Sequence, residues 1–225
     1  LNSMRRDFIS NLSHELRTPV SVIRANSETL LDGALESKKD AKVFAKAILH
    51  NSERLSDMVT DLIDLSRIEY GDLKLNIKKV DLKTFIDEFT LSIESLTKKK
   101  DIEIINKLNH EEFVKADLQA LERIMNNLVD NALKYSEKGS SIVISTIKEN
   151  QHIKIMVSDN GIGISDEDKN HIFDRFYRTA SARASDKQGS GLGLAIVKNL
   201  TNSLNGEVGV DSKDPNGPIF FFKLP

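Results

Sequence analysis

The sequence predicts an α + α/β fold, in which a two-helix hairpin over residues 1–70 precedes an α/β domain over residues 71–225. Three observations predict it. Apolar residues recur at a helical spacing through residues 4–68, a stretch with one Gly and one Pro. After Tyr70-Gly71 the pattern changes to short β-rich runs separated by helical stretches. With 39% hydrophobic residues, either part has enough apolar side chains for a core.

The first part reads as two long helices. The apolar stripes are Phe8, Leu12, Leu16, Ile23 and Leu30 in the first helix and Phe44, Ile48, Leu55, Val59 and Leu62 in the second. Asp32, Gly33 and the charged run from Glu36 to Asp40 predict a helix end, a solvated connection and a new start. An antiparallel hairpin of this size exposes both stripes. We therefore expect a homodimer that buries them in a four-helix bundle. The alternative is that they pack on the second part of the same chain.

The second part reads as helices layered on one sheet. The predicted strands are Ile102–Ile105, Ile142–Ile147, Ile153–Val157 and Ile219–Phe222, and the predicted helices are at about 82–97, 117–136 and 191–204. The stretch from Thr179 to Ser190 has no periodicity and predicts a mobile loop.

Composition excludes several classes of protein. The chain has no Cys, which excludes disulfide scaffolds, thiolate zinc sites and cysteine nucleophiles. The 32 Lys and Arg nearly balance the 34 Asp and Glu, which argues against a nucleic-acid partner. No apolar run reaches the ~20 residues of a membrane span. A helical pattern is already under way by Arg5, so we expect a piece of a longer protein that contacts a membrane only through a segment outside this chain.

His14 projects nearly opposite the apolar stripe of its helix, so we expect its imidazole to face water. Thr18 follows one turn later on the same face, and Glu15 is adjacent. An exposed imidazole beside a carboxylate has the parts of a nucleophile. The alternative is an ordinary solvated helix face. Pro19 either bends this helix or is the first residue of a new helix that Thr18 caps.

Two glycine clusters lie in the second part of the chain. Asp159-Asn160-Gly161-Ile162-Gly163 follows directly on a predicted strand, so its turn can pass close to a ligand while Asp159 projects from the strand end. A hairpin-type turn is the alternative. Gly189-Ser190-Gly191-Leu192-Gly193-Leu194 runs into an apolar helix, where free backbone N–H groups favour an anionic phosphate. This second cluster has neither the spacing of a Walker loop nor that of a dinucleotide fingerprint.

The helix predicted over residues 117–136 carries a polar face with Asn127, Asn131 and Lys134, and Tyr135 lies at its edge. A solvated face is one interpretation. The other is a site for Mg²⁺ and phosphate, because Mg²⁺ prefers oxygen ligands and accepts neutral ones when phosphates supply the charge.

Taken together and in order, these motifs resemble those of the sensor histidine kinases of two-component systems. Residues 8–19, FISNLSHELRTP, resemble the phospho-acceptor box, and residues 127–135, NLVDNALKY, resemble the N box. Asp159–Gly163 resembles the first glycine box, Phe173–Tyr177 the F box, and Gly189–Leu194 the second glycine box.

The resemblance implies a dimeric phosphotransfer hairpin and an ATP-binding α/β sandwich of the kind shared with type II topoisomerases and Hsp90-like chaperones. It implies that His14 attacks the γ-phosphate of ATP with Glu15 as the base, and that Thr18 orients a water for phosphatase activity. An aspartate of a separate response regulator would then receive the phosphoryl group.

On the nucleotide side, the resemblance implies that Asn131 holds Mg²⁺ and that Asp159 accepts a hydrogen bond from the adenine amino group. The remaining implied contacts are Asn127, Lys134 and Arg178 toward the phosphates, Tyr135 against the nucleotide, and a lid framed by Gly161, Gly163, Gly189, Gly191 and Gly193 with Leu192 and Leu194. The competing interpretations are an ATPase of the same fold without phosphotransfer and a nucleotide-sensing dimerisation scaffold.

Overall fold

The computed structural model describes residues 2–108, 110–184, 189–212 and 217–225. The chain divides into two compact units, one ending at Asp64 and the other running from Leu65 to Pro225. The division falls inside a long helix, and the predicted domain boundary between residues 70 and 71 stays a prediction.

The first unit is built from two helices. Helix α1 spans Asn2–Leu31 and helix α2 spans Lys38–Glu69, which ends in the second unit. A short 3-10 helix, Ala34–Glu36, lies between them after Gly33, whose φ of 119° a side chain would strain. Helix α1 runs through Pro19 without interruption, so Thr18 does not cap a new helix. No helix within the described ranges is long and apolar enough to cross a membrane.

The apolar stripes of the two helices are not buried within the single chain. Of the ten predicted stripe residues, nine are half-buried and Val59 is 47% exposed. The residues of this unit that are buried, within its described part, are Pro19, Asn51 and Met58.

The second unit contains two sheets. Its strands are β1 (Lys78–Asp81), β2 (Glu103–Asn106), β3 (Phe113–Ala116), β4 (Ser141–Glu149), β5 (His152–Ser158), β6 (Glu207–Ser212) and β7 (Pro218–Leu224). Strands β1 and β3 form an antiparallel pair, and the others form a sheet of order β2-β4-β5-β7-β6. Only the β2–β4 pair of that sheet is parallel, and β5 is its central strand.

The helices of this unit are α3 (Leu82–Ser92), α4 (Glu94–Lys100), α5 (Leu118–Tyr135), α6 (Asp166–Lys169), α7 (Ala180–Ala184) and α8 (Gly193–Ser203). The helix predicted over 82–97 is therefore two helices that meet at Ile93. Helix α7 occupies part of the predicted mobile loop, which corrects that prediction there. Residues 185–188 of the same loop lie outside the described residues.

The core lies between the helices and one face of the five-stranded sheet. Helix α5 contacts β4, β5 and helix α8, and α8 contacts β6 and β7. Alternate residues of β5 and β7 are buried on this face, for example Ile155 and Phe222 at 0% exposure. This packing fixes α5, which carries Asn127, Asn131, Lys134 and Tyr135, and the end of β5, which Asp159 follows directly.

Candidate functional site

His14 is exposed on helix α1, as its helical position predicts. Thr18, one turn further on, is also exposed, and its hydroxyl donates to the carbonyl of His14 at 3.4 Å. Glu15 is half-buried and points toward the second helix of the hairpin, where its carboxylate accepts a hydrogen bond from Arg54 at 3.2 Å. The imidazole of His14 is thus open to solvent, and the carboxylate of the neighbouring Glu15 is held by Arg54 of helix α2.

Arg54 is a site residue that sequence reasoning missed. It lies 39 residues from Glu15, and the sequence does not fix which turn of α2 faces which turn of α1. Its side chain is 18% exposed, so the ion pair is partly shielded from water. That shielding makes the pair stronger than a typical surface pair.

Helix α5 separates its two faces as predicted. Leu121, Met125, Leu128 and Ala132 are fully buried against the core. On the polar face, Asn127 and Asn131 are half-buried, Lys134 is exposed and Tyr135 is half-buried. Asp117 caps the N-terminus by accepting from the backbone N–H of Ala120 at 2.9 Å. The polar face is therefore held rigidly by a well-packed helix.

Asp159 is the most deeply buried of the predicted site residues that can ionise, at 2% exposure. It follows β5, and its Oδ1 accepts a hydrogen bond from the N–H of Gly161 at 2.7 Å. Burial raises the pKa of Asp159 to about 6, against the opposing effect of the Gly161 N–H, which favours the carboxylate. Strongly shifted pKa values are found most often at functional sites. Asp159 is therefore a candidate to accept a hydrogen bond from a donor group on a ligand.

The turn after Asp159 passes close to helix α5. A Cβ on Gly161 would lie 2.6 Å from Oδ1 of Asp159 and 2.9 Å from the carbonyl oxygen of Tyr135. A Cβ on Gly217, whose φ is +78°, would lie 2.1 Å from the carbonyl oxygen of Asp159. Glycine at these positions lets the backbone at Gly161 pass close to Tyr135 and to the Asp159 carboxyl, and the backbone at Gly217 pass close to the carbonyl of Asp159. The next strand in sequence, β6, pairs with β7 rather than with β5, so this turn is not a hairpin turn, and ligand binding there stays a prediction.

The second glycine cluster meets both the F-box segment and helix α5. A Cβ on Gly191, whose φ is +70°, would lie 2.8 Å from the Cα of Phe176. A Cβ on Gly193 would lie 2.7 Å from Oδ1 of Asn127. The structure therefore brings Asn127 to the second glycine cluster and Tyr135 to the first. Leu192 is buried and Leu194 half-buried, so these two side chains anchor the cluster to the core.

Helix α8 starts at Gly193, and among the described residues no side chain caps its N-terminus. The first backbone N–H groups of a helix lack intrahelical partners and carry a partial positive charge. They lie beside the amide of Asn127, which donates to the carbonyl of Arg123 at 2.8 Å. This end of the helix suits an anionic phosphate group.

The other predicted residues have looser surroundings. Counting only atoms of the described residues, a Cβ at Gly163 or Gly189 would meet nothing within 4 Å, so the packing seen there does not require glycine. The guanidinium of Arg178 donates to the carbonyl of Ala182 in helix α7. In the described structure the Arg178 side chain therefore binds a carbonyl four residues further along the chain.

A metal bound at this site would depend on amide and phosphate oxygens. Within the described residues there is no group of three His, Cys, Asp or Glu side chains able to hold a metal ion. Asn131 is half-buried on the polar face of α5, and its amide oxygen is a ligand type that Mg²⁺ accepts. The donor set fits Mg²⁺ that arrives with nucleotide phosphates, and it does not fit a resident zinc ion.

Two known families match separate parts of the chain. Residues 4–71 match HisKA, the His Kinase A (phospho-acceptor) domain. Residues 116–225 match HATPase_c, the histidine kinase-, DNA gyrase B- and HSP90-like ATPase. The fold and site thus define a phospho-acceptor hairpin joined to an ATPase domain of this type.

Individual relatives narrow the family. The chain is 38% identical over 225 residues to the sensor-like histidine kinase SenX3 of Mycobacterium tuberculosis strain H37Rv, and 35% identical over 228 residues to the sensor histidine kinase WalK of Bacillus subtilis. Both alignments include the whole chain, which spans 55% and 37% of the two proteins. The chain belongs to the sensor histidine kinases of two-component systems.

Solved structures show the same fold. The Acinetobacter baumannii histidine kinase AdeS matches with a TM-score of 0.76 and 28% identity, covering 94% of this chain and 96% of AdeS. The histidine kinase ThkA, solved in complex with response regulator protein TrrA, matches with a TM-score of 0.81 and 22% identity. That match covers 99% of this chain and 62% of the solved one. At 22% identity, the likeness to ThkA concerns the fold alone.

Proposed function

We propose that this chain is the kinase core of a sensor histidine kinase, and that it phosphorylates His14 with ATP. The observation that carries the proposal is a pairing within one chain. The exposed imidazole of His14 is next in sequence to a carboxylate, Glu15, that Arg54 anchors, and the other unit has a buried carboxyl, Asp159, that accepts a hydrogen bond from the N–H of Gly161.

The proposed reaction is an in-line phosphoryl transfer. A ring nitrogen of His14 attacks the γ-phosphorus of ATP, the new N–P bond forms, and the bond to the bridging oxygen breaks to release ADP. Glu15 accepts the proton from the other ring nitrogen. Arg54 on the second helix holds the Glu15 carboxylate in one position, so the base is oriented before the reaction begins.

On the nucleotide side, we assign adenine recognition to Asp159, whose carboxylate accepts from the amino group. This contact favours ATP over GTP, which has a carbonyl at that position of the base. Asn127 and Lys134 are assigned to the phosphates with the N-terminus of α8, and Tyr135 to the nucleotide itself. Arg178 remains a candidate phosphate ligand that would first have to leave the Ala182 carbonyl.

Glycines are assigned a different part in the site. The backbone passes close to its neighbours at Gly161, Gly191 and Gly193, where a Cβ would lie within 3 Å of another atom. Backbone flexibility is assigned to Gly163 and Gly189, where a Cβ would meet no atom of the described residues within 4 Å. Mg²⁺ would be held by Asn131 and the phosphate oxygens, and it would neutralise charge that develops during the transfer.

Half-buried stripes on both helices support a homodimeric four-helix bundle. Additional exposed apolar residues on the hairpin are Ile9, Val20, Val43, Leu49 and Ile63. A patch of this kind is usually covered by another protein surface. The molar mass in solution, measured by sedimentation, tests this assignment, and a monomer at micromolar concentration would contradict it.

We assign a response regulator as the acceptor of the phosphoryl group, with an aspartate as its site. The match of residues 4–71 to the phospho-acceptor domain supports a partner of this class, and the complex of ThkA with TrrA is an example of such a pairing in a protein of the same fold. Phosphatase activity through Thr18, and attachment to a membrane through a segment outside this chain, are proposed from the family resemblance.

The deciding experiment is incubation with Mg²⁺ and γ-labelled ATP. We expect a protein-bound label that is lost in acid and stable in alkali, as a phosphoramidate is. The label should vanish in His14→Gln and persist in His50→Gln, which removes another exposed histidine from the hairpin. Tight ATP binding without any label would favour the scaffold interpretation, and label remaining in His14→Gln would place the acceptor elsewhere.

A further inference from the structure

A pair of hydroxyl-to-carboxylate hydrogen bonds holds the segment between the two glycine clusters. Asp168 accepts from the hydroxyl of Ser165 at 2.6 Å and from the phenol of Tyr177 at 2.7 Å. The backbone N–H of Asp168 in turn donates to the Ser165 hydroxyl at 3.1 Å. Lengths below 2.8 Å are typical of charge-assisted bonds, which are about twice as strong as neutral ones.

The ionisation of both partners agrees with this geometry. The hydroxyl of Ser165, followed by that of Tyr177, lowers the pKa of Asp168, and the carboxylate of Asp168 raises the pKa of Tyr177. Near neutral pH, Asp168 is therefore an ionised acceptor and Tyr177 a protonated donor. Neither residue has a part in the proposed chemistry.

The residue before Tyr177 has an uncommon backbone conformation. Phe176 has φ of 60°, in the left-handed region that residues with a Cβ rarely adopt. Its N–H donates to the carbonyl of Gly191 at 2.9 Å, and its Cα would lie 2.8 Å from a Cβ at that glycine. Such a conformation persists only where the surroundings fix it. The Tyr177 hydrogen bond fixes the adjacent residue.

These contacts form a continuous path to the polar face of α5. Asp168 binds Tyr177, Phe176 binds Gly191, and two residues later Gly193 lies against the amide oxygen of Asn127. The first two steps are hydrogen bonds, and in the third a Cβ on the glycine would lie within 3 Å of its neighbour. The position of one end of the path therefore restricts the position of the other.

We propose that Asp168 and Tyr177 are positioning residues for ATP binding, whose hydrogen bond holds Phe176 against Gly191 and so fixes the second glycine cluster beside Asn127. The inference rests on the proposed function, since it assigns this cluster to the nucleotide. Ser165 supports it by orienting the carboxylate. Loss of the bond leaves the cluster in its binding arrangement for a smaller fraction of the time, which weakens affinity by that fraction.

The test is the equilibrium dissociation constant for ATP with Mg²⁺, measured on the whole chain for Tyr177→Phe. This variant removes one hydroxyl and keeps the ring, which packs 5.6 Å from that of His171. We expect affinity to fall about tenfold or more, as loss of one hydrogen bond to a charged group implies. The rate of His14 phosphorylation at saturating ATP should stay within about twofold of wild type, and a cooperative thermal transition should show that the variant is folded. Tyr70→Phe, at an 80% exposed tyrosine, is the matched control.

A second variant separates this role from simple damage. Asp168→Ala should weaken ATP binding to a similar extent. The double variant should bind ATP no more weakly than whichever single variant binds it less tightly, because the two substitutions remove the same bond. Unchanged or tighter binding in Tyr177→Phe would overturn the inference, as would additive losses or a proportional fall in the saturating rate. Absence of ATP binding in the wild-type chain would instead contradict the proposed function.

Discussion

Arg54 on helix α2 donates a hydrogen bond to Glu15 on helix α1 at 3.2 Å, and so joins the two helices of the hairpin next to the exposed His14. The two side chains are 18% and 31% exposed. The carboxylate that the proposed reaction uses as a base is therefore held by the opposite helix, and its position depends on how the two helices are packed.

Replacing Arg54 with Met should slow phosphorylation of His14 about tenfold at saturating ATP, because Glu15 loses the partner that orients it. ATP affinity should not change, since the residue is not part of the nucleotide site. The initial rate of acid-labile labelling measures the effect. The control is Arg24→Met, which removes an arginine from the exposed Arg24–Glu28 pair of the same hairpin. Equal rates in both variants would remove Arg54 from the mechanism.

Thr18→Ala should lower dephosphorylation of a phosphorylated response regulator by at least fivefold while autophosphorylation changes less than twofold. The proposed role of Thr18 is to orient a water, which only the dephosphorylation reaction needs. Thr29→Ala is a matched control, because the Thr29 hydroxyl bonds the carbonyl of Ala25 four residues back, as Thr18 bonds that of His14. A parallel loss of both activities in Thr18→Ala would argue against a separate role.

Asp159→Asn should stabilise the unliganded chain at pH 7 by about 1–3 kcal/mol, in proportion to a pKa raised from 3.8 to about 6. Because the pKa of Asp159 is higher in the folded chain than in the unfolded chain, the contribution of this residue to stability is fully present at pH values below 3.8. It is lost as the pH rises to about 6. The amide avoids that loss and still accepts from Gly161. Urea unfolding at pH 4.5 and pH 7 measures the effect, with the exposed Asp130→Asn as the control. A stability difference between Asp159→Asn and wild type that is the same at both pH values would contradict the prediction.

Affinity for ATP should fall as the pH drops below about 6, because protonated Asp159 is a weaker acceptor for the adenine amino group. Titration of ATP binding between pH 5 and pH 8 checks this, and Asp159→Asn should show both weaker binding and a flatter profile. An identical pH dependence in wild type and variant would assign the effect to another group, such as the phosphates.

Gly191→Ala should destabilise the second unit by about 2 kcal/mol or more, since its φ of +70° disfavours a side chain and the Cβ would lie 2.8 Å from Phe176. Gly163→Ala should leave the unfolding free energy within about 0.5 kcal/mol, because a Cβ there meets nothing within 4 Å. Chemical denaturation of both variants compares them directly. Equal destabilisation would mean that close backbone approach does not explain the glycine at position 191.

The sequence predicted the strongly periodic elements well. Helices α1, α2, α5 and α8 and strands β2, β4, β5 and β7 lie within a few residues of their predicted positions. Strand β1 was missed because two of its four residues are lysines and it pairs only with β3, outside the main sheet. Strand β6 was missed because Gly209 interrupts its pattern; glycine there leaves room for the ring of Phe221 on the neighbouring strand.

The candidate site was predicted as separate motifs, and the structure supplies the contacts between them. The sequence singled out Asn127 and Gly193, but the approach of one to the other depends on how α5 packs on α8. The contact of Arg54 with Glu15 depends in the same way on the register of the hairpin. Ser165 three residues before Asp168 is a helix-start pattern that could have drawn attention to the Asp168 network.

Asp159 extends from β5, the central strand of the main sheet, whereas the second glycine cluster lies on a loop and the first turn of α8. In the proposed assignment the base is therefore bound at the end of the central strand, and the phosphates are bound by a loop and a helix N-terminus. ATP and ADP share the same base, so the Asp159 contact stabilises substrate and product alike. Product inhibition by ADP follows, and its strength in each variant should track Asp159 rather than the glycines.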